Sequence, residues 1–378
     1  MPSRIVIVVV AALLALLHAY IGWRILPQLP LVVRWLGAGV LIASCLLVPV
    51  GLLTRAVKRQ PLADRLAWVG LTALGLFSTL LLLTLARDVM LWIAAILGVP
   101  ASTFAFGTAI AVPVLAGLAT WIGLLNARRV AKVVRVDVPI ANLPPALHGF
   151  SIAQISDIHV GPTIKHGYLD AIVNVVNTLG ADLIAVTGDL VDGSVQELAA
   201  HTAPLSKLSA RHGAYFVTGN HEYYSHAPSW IDEVRRLGLT VLMNEHVLLS
   251  HDGQTLLVAG VTDYTAHHFD ESHRSDPHAA IAGAPEHVCV RLLLAHQPRS
   301  ATVAAAAGFD LQLSGHTHGG QFFPWNLFVP LQQPYTAGLN RLAQLWVYTS
   351  RGTGYWGPPK RLGAPSEITY LRLVPAVL

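Results

Sequence analysis

Leu313-Ser314-Gly315-His316-Thr317-His318-Gly319-Gly320-Gln321, together with the earlier Ala295-His296-Gln297, sets three imidazoles at the ends of two short apolar runs. If each run is a buried strand, the histidines fall in strand-end loops, where a rigid scaffold can hold metal ligands. The partners such histidines need lie upstream. They are Asp157-Ile158-His159, Gly188-Asp189-Leu190-Val191-Asp192 and Gly219-Asn220-His221-Glu222, each close behind an apolar run of its own. A site of this kind is assembled from distant pieces of chain.

The runs themselves read as strands at residues 150–155, 183–186, 214–217, 255–261, 288–294, 311–313, 345–348 and 368–373, being short and either apolar or alternating. Helical spacing separates the early ones, at 168–179, 194–203 and 229–237. Strand–helix alternation giving way to consecutive strands predicts an α/β fold rich in sheet, built in layers. Residues 267–285, rich in His, Asp, Ser and Ala, read as an exposed loop.

The first third of the chain is different. Of 378 residues, 53% are hydrophobic and only 12% charged, too apolar for an ordinary soluble enzyme. Residues 1–126 carry 8 Lys and Arg against 2 Asp and Glu, and the rest carries 17 against 19, so the basic balance belongs to the apolar part. A slightly acidic remainder lacks the electrostatic footprint of a nucleic-acid binder. Cys45 and Cys289 form neither a disulfide framework nor a zinc pair, and read as core residues.

Four apolar runs, 5–23, 35–53, 66–86 and 104–125, have the roughly 20 residues that a membrane-crossing helix needs. The first exceeds a signal-peptide core and precedes no small-x-small cleavage site, so it reads as an uncleaved helix. A further run, 90–99, is too short to cross alone and is set off by Arg87-Asp88, which predicts a separate interfacial or re-entrant piece. The domains expected are therefore a four-helix transmembrane region at 1–126, a connector at 127–148 interrupted by Pro139, Pro144 and Pro145, and an α/β domain at 149–378.

The motifs supply the carboxylates of Asp157, Asp189 and Asp192, the amide of Asn220, and the imidazoles of His159, His221, His296, His316 and His318. A mixed oxygen and nitrogen set without thiolate suits Mn, Fe or Zn, and it is too large for one tetrahedral ion. Two divalent ions fit better. Gly188, Gly219, Gly315, Gly319 and Gly320 adjoin these residues, where they would let the backbone approach closely.

The ordered series D-x-H, G-D-x-x-D, G-N-H-E, a lone His and G-H-T-H across Asp157 to His318 resembles the calcineurin-like metallophosphoesterases, and the later Ser350-Arg351-Gly352-Thr353-Gly354 and Gly363-Ala364-Pro365-Ser366-Glu367-Ile368 resemble their membrane-associated branch. The resemblance implies a β-sandwich flanked by helices. Carried over by position, it places Asp157, His159, Asp189 and His318 on one metal ion and Asn220, His296 and His316 on the other, with Asp189 bridging. It further implies a metal-activated water as nucleophile. His221 is expected to stabilise charge or protonate the leaving oxygen, oriented by Asp192 or Glu222.

The segment Phe322-Phe323-Pro324-Trp325-Asn326-Leu327-Phe328-Val329-Pro330-Leu331 is not a core strand pattern, and reads either as a loop that dips into a membrane interface or grips an acyl chain, or as an apolar plug. Arg351 reads either as a phosphate contact or as half of an ion pair. The function expected is that of a membrane-embedded dimetal phosphohydrolase acting on a phosphoester or pyrophosphate of a lipid or lipid-linked head group. The alternatives are a membrane-anchored phosphodiesterase or phosphatase for soluble nucleotides and phosphoesters, and a non-catalytic membrane receptor with a vestigial site. A complete ligand set argues against the last.

Orientation follows from the basic residues near the span ends. Arg55, Lys58, Arg59 and Arg65 in the second connection, and Arg128, Arg129, Lys132 and Arg135 after the fourth span, outweigh Arg24, Arg34 and Arg87 elsewhere. Both termini and the α/β domain are thus expected in the cytoplasm, beneath an inner or plasma membrane. A Ser272→Cys variant should then resist an impermeant thiol reagent in intact cells and react after permeabilisation. Ready labelling of intact cells would reverse the orientation.

Overall fold

The computed structural model describes residues 4–54, 59–100 and 102–376. It divides into two compact units, one running through Arg128 and including Gly357–Lys360, the other comprising Arg129–Trp356 and the residues from Arg361 on.

The first unit is four helices: α1 (Arg4–Ile25), α2 (Leu31–Leu52), α3 (Gln60–Ile96) and α4 (Ser102–Arg128). All four are long and apolar enough to cross a membrane, with mean hydropathy of 1.9, 2.2, 2.1 and 2.0 in turn. They are apolar all round. Leu16, Trp35, Leu36 and Trp92 are exposed, while Ile21, Ile25, Phe77, Leu80 and Val112 pack inside with the small Ala109 and Ala116. Helices with no polar face suit a lipid surround, and small residues let them approach. Of the basic residues used above for orientation, Arg55 and Lys58 lie outside the described residues.

The break expected at Arg87-Asp88 does not occur, and residues 90–96 simply continue α3 for a total of 37 residues. The charges are satisfied by neighbours instead of by water. Asp88 accepts from Tyr20 Oη at 2.6 Å and Arg24 Nε at 2.7 Å. The buried Arg87 donates to Thr108 Oγ1 at 2.9 Å and to the Ala105 carbonyl at 3.2 Å. With Arg87 and Asp88 both bonded to neighbouring helices, the two charges do not force the helix to end.

The second unit is two six-stranded sheets packed face to face. One has strand order β1-β12-β2-β3-β4-β5, from β1 (Lys132–Ile140), β2 (Ser151–Ile155), β3 (Leu183–Val186), β4 (Ala214–Phe216), β5 (Thr240–Val241) and β12 (Glu367–Pro375). The other runs β10-β11-β9-β8-β7-β6, from β6 (Glu245–His251), β7 (Gln254–Gly260), β8 (Val290–Leu294), β9 (Leu311–Ser314), β10 (Gly338–Leu342) and β11 (Leu345–Thr349). Ile152, Leu183, Leu292, Leu311 and Leu371 meet in the core between them. Helix α5 (His166–Thr178) turns Leu169, Ile172, Val173 and Val176 inward at i, i+3, i+4 and i+7 spacing. The remaining helices α6 (Val195–Thr202), α7 (Asn220–Tyr224), α8 (Ala227–Arg236), α9 (Pro277–Ile281) and α10 (Ala301–Ala306) are shorter.

The segment read as a connector contains a nine-residue strand. Residues 132–140 pair in parallel with β12 over nine positions, Lys132 with Glu367 through Ile140 with Pro375. Pro139 is tolerated because β1 lies at the sheet edge. Residues 267–285, expected as loop, hold two single 3₁₀ turns and α9.

Helices α2 and α3 touch backbone to backbone: a Cβ added at Gly70 would lie 2.4 Å from Gly51 Cα and 2.5 Å from the Leu47 carbonyl oxygen. Gly70→Val should therefore cost about 1 to 3 kcal/mol by overpacking. It should lower the thermal unfolding midpoint of the detergent-purified protein, whereas Gly39→Val, with nothing within 4 Å, should not. Equal midpoints would show that the helices do not depend on this contact.

Candidate metal centre

Every sequence-predicted site residue sits just past the carboxyl end of a strand, or on the short helix following one. Asp157 and His159 follow β2, Asp189 and Asp192 follow β3, Asn220 and His221 open α7 after β4, His296 follows β8, and His316 and His318 follow β9. The first six come from one sheet and the last three from the other. All nine meet in one place.

Ligand atoms of Asp157, His159 and His318 converge within 4.8 Å of one another, as do those of Asp189, His296 and His316. His159 Nε2 lies 3.0 Å from His318 Nε2, and His316 Nδ1 lies 3.2 Å from His296 Nε2. Asp189 Oδ2 stands between the groups, 3.2 Å from His296 Nε2 and 3.9 Å from His159 Nε2. The Asn220 Oδ1 atom, on the residue between Gly219 and His221 that both adjoin Asp189, is buried with no hydrogen-bond partner. An orphaned buried carbonyl oxygen is costly unless a cation takes its lone pair. The donor set fits two divalent ions.

Tautomers are set from behind. Asp192 Oδ1 accepts from His159 Nδ1 at 3.3 Å and from His221 Nδ1 at 2.5 Å, and the Thr187 carbonyl accepts from His296 Nδ1 at 2.8 Å. Each of those rings then turns Nε2 toward the cluster, as ligating histidines do when a neighbouring oxygen holds the other nitrogen. Burial together with His296 drives His316 down to about 3. Burial, His159 and Arg361 likewise hold His318 well below its ordinary value, so both rings are neutral and keep a lone pair for a cation. Burial opposes charge on His296, but Asp189 outweighs it and holds that ring well above its ordinary value. Loading a cation there would release the proton.

His221 is the exception among the histidines. A third convergent group joins it to His159 and Asp189, yet its Nε2 stays 4.0 Å from Asp189 Oδ2. Burial works against its charge, and Asp189, Asp192 and Glu222 overcome this to raise it to about 9. The ring is an imidazolium at neutral pH, partnered by Asp192. Glu222, the other candidate to orient it, does something else: it accepts from the Gly219 and Asp189 amides at 2.7 and 3.0 Å and from the Leu190 amide at 2.7 Å.

Backbone geometry marks the same spot. Asp157, His159, Asp189, His316 and His318 all have φ between 51° and 69°, the left-handed region that costs a non-glycine residue about 1 kcal/mol or more. Glycine is required at two neighbours. A Cβ on Gly219 would lie 2.2 Å from Asp189 Oδ1, and one on Gly315 would lie 2.1 Å from Asp157 Oδ2.

The sequence reading missed Arg361. Its buried guanidinium donates to the carbonyls of His318 at 2.9 Å, Arg351 at 2.8 Å and Ala364 at 3.2 Å, and faces His318 Nδ1 at 3.1 Å. No local pattern announces this role. Arg351, by contrast, resolves to an ion pair with the buried Glu367 at 2.9 Å. Tyr224 and Trp356, also missed, stand edge-on to the His221 ring at 5.2 and 5.8 Å.

Residues 150–320 match the family model for calcineurin-like phosphoesterases. A transmembrane protein with metallophosphoesterase domain from Bos taurus is 42% identical over 265 residues, 67% of this chain and 59% of that protein. An uncharacterized metallophosphoesterase of Helicobacter pylori (strain ATCC 700392 / 26695) is 37% identical over 257 residues, 68% of this chain and 67% of its own length. One from Aquifex aeolicus is 30% identical over 244 residues, 64% of this chain and 91% of that one. This chain thus spans 59% of the length of the bovine relative and 62% of that of its Danio rerio counterpart. With the motif order, the strand-end geometry and these relatives in agreement, the chain belongs to the calcineurin-like phosphoesterase family.

Proposed function

We propose that the chain is a membrane-embedded, dimetal phosphohydrolase that cleaves a phosphoester or pyrophosphate bond, on a lipid or lipid-linked head group, from the cytoplasmic face. The observation that carries the catalytic part is the convergence of Asp157, His159 and His318, and of Asp189, His296 and His316, as two neighbouring ligand groups. The lipid and membrane parts are supported by the four apolar helices of the same chain.

Asp157, His159 and His318 would hold one divalent ion and Asn220, His296 and His316 the other, with Asp189 shared. When bound, the ions polarise the phosphoryl group and lower the pKa of water. Water adds to phosphorus, releasing a proton to solvent, and the bond to the leaving oxygen breaks. His221, protonated and turned with Nε2 toward the cluster, gives its proton to that oxygen and later recovers one from solvent. Asp192 holds the His221 ring and stabilises its charge.

Two variants test the assignment. Gly219→Ala removes no ligand, but it drives a methyl group against Asp189, so metal content by elemental analysis and turnover should fall together. Full metal content would mean that Asp189 is not held where both ions need it. His221→Ala should keep both ions while reducing turnover by about 10² to 10⁴, the usual contribution of a positioned acid. The loss should shrink for p-nitrophenolate, which leaves without a proton. Equal losses for good and poor leaving groups would remove the general-acid role, and loss of metal would make His221 a ligand. No hydrolysis with Mn, Fe or Zn across phospholipid, nucleotide and simple phosphoester panels would overturn the reading as a whole.

A further inference from the structure

The residues just past His318 form a loop whose chemistry differs from the rest of the second unit. No Asp, Glu, Lys or Arg occurs in the sequence from 319 to 340. Within it Phe323, Trp325, Leu327, Phe328 and Leu331 are exposed, Leu327 at 62% and Leu331 at 81%. Phe322 alone tucks inside, at 7% exposure, so the reading as a plug of the interior holds for that side chain and not for the five large ones that follow it.

The loop is not slack. Phe323 N donates to the Leu362 carbonyl at 2.9 Å, Leu362 N donates to the Gln321 carbonyl at 3.2 Å, and the Gln321 side chain exchanges two 2.8 Å hydrogen bonds with the Trp356 backbone. At its far end Gln333 donates to Gln297, next to His296, at 3.1 Å. Between these anchors the backbone bonds to itself in two 3₁₀ turns. Leu327 N reaches the Pro324 carbonyl at 2.9 Å, Phe328 N that of Trp325 at 2.9 Å, Leu331 N that of Phe328 at 3.1 Å, and Gln332 N that of Val329 at 2.9 Å.

A rigid apolar projection that bonds the amides of Trp325, Leu327, Phe328 and Leu331 within its own turns, carries no charge and includes an exposed Trp meets the requirements of an element entering lipid, where unpaired backbone groups and charges are expensive. A protein partner would be met by a patch with a polar and charged rim. We infer that residues 323–331 insert into the interfacial layer of the bilayer, which brings the candidate site at His318, and at His221 with its ring against Trp356, close to the lipid surface. The inference rests on the reading of the four helices as membrane spans, and it makes the substrate one whose phosphoryl group lies at head-group depth.

The full chain, with Cys45→Ser and Cys289→Ser, is reconstituted in phosphatidylcholine nanodiscs and labelled with the environment-sensitive fluorophore NBD at one introduced cysteine. Leu327→Cys and Leu331→Cys should show blue-shifted emission and lose intensity in brominated phosphatidylcholine to an extent comparable with Leu46→Cys on α2. Ser272→Cys should show neither effect. If Leu46→Cys is quenched while both loop positions behave like Ser272→Cys, the loop does not insert. If Leu46→Cys is not quenched either, the membrane reading fails first and the inference falls with it. Turnover of p-nitrophenyl phosphate by the same samples tests the hydrolase reading separately. Should the labelled variants fold poorly, a photoactivatable phosphatidylcholine with the unaltered protein should leave adducts on the peptide holding 323–331; adducts confined to the apolar helices would overturn the inference.

Discussion

One buried carboxylate ties the site to the fold. Glu222 accepts from the amides of Gly219, Asp189 and Leu190, and so clamps the loop that carries Asp189 to the turn that presents Asn220 and His221. Burial and the nearby Asp189 push its pKa up to about 7, while hydrogen bonds from Gly219 and Leu190 pull the other way. Those amides have no other use at the strand ends, and a carboxylate is the acceptor that can satisfy several at once. Once the two loops are clamped, Asp189 is free to accept from the His221 amide at 2.9 Å and to face His296. The left-handed backbone at the ligand positions persists because contacts of this kind over-determine it.

How much of this was legible in the sequence depended on whether the signal was local. Buried strands such as Leu183–Val186 announce themselves, because both faces are covered and every residue is apolar. The site residues were legible for the same reason: each lies close behind such a run. Strands at the sheet edges were not. Lys132–Ile140 is half exposed and contains Pro139, and what makes it a strand is β12, more than two hundred residues later. Glu245–His251 and Gly338–Leu342 are likewise polar strands defined by their neighbours.

Charge was misleading for a related reason. Arg87 and Asp88 look like a helix terminator when read alone, yet Tyr20, Arg24 and Thr108 give them hydrogen-bond partners within the helices. Sequence leaves Asp192 and Glu222 as alternatives to orient His221, and only the folded backbone shows Asp192 on the ring and the Glu222 oxygens on amides. Arg361 carries no motif at all. Its importance comes from four carbonyls and a histidine gathered from residues 318 to 364.

The division of the candidate ligands between the two sheets has a mechanical meaning. Asp157, His159, Asp189 and Asn220 belong to one sheet and His296, His316 and His318 to the other, so each proposed ion would have ligands on both. A cation in either place is then a rivet through the sandwich at its open end, where the apolar core between the sheets no longer reaches. Its binding free energy would be shared with the cohesion of the two layers. Metal availability would therefore set how long the folded unit survives as well as how fast it turns over.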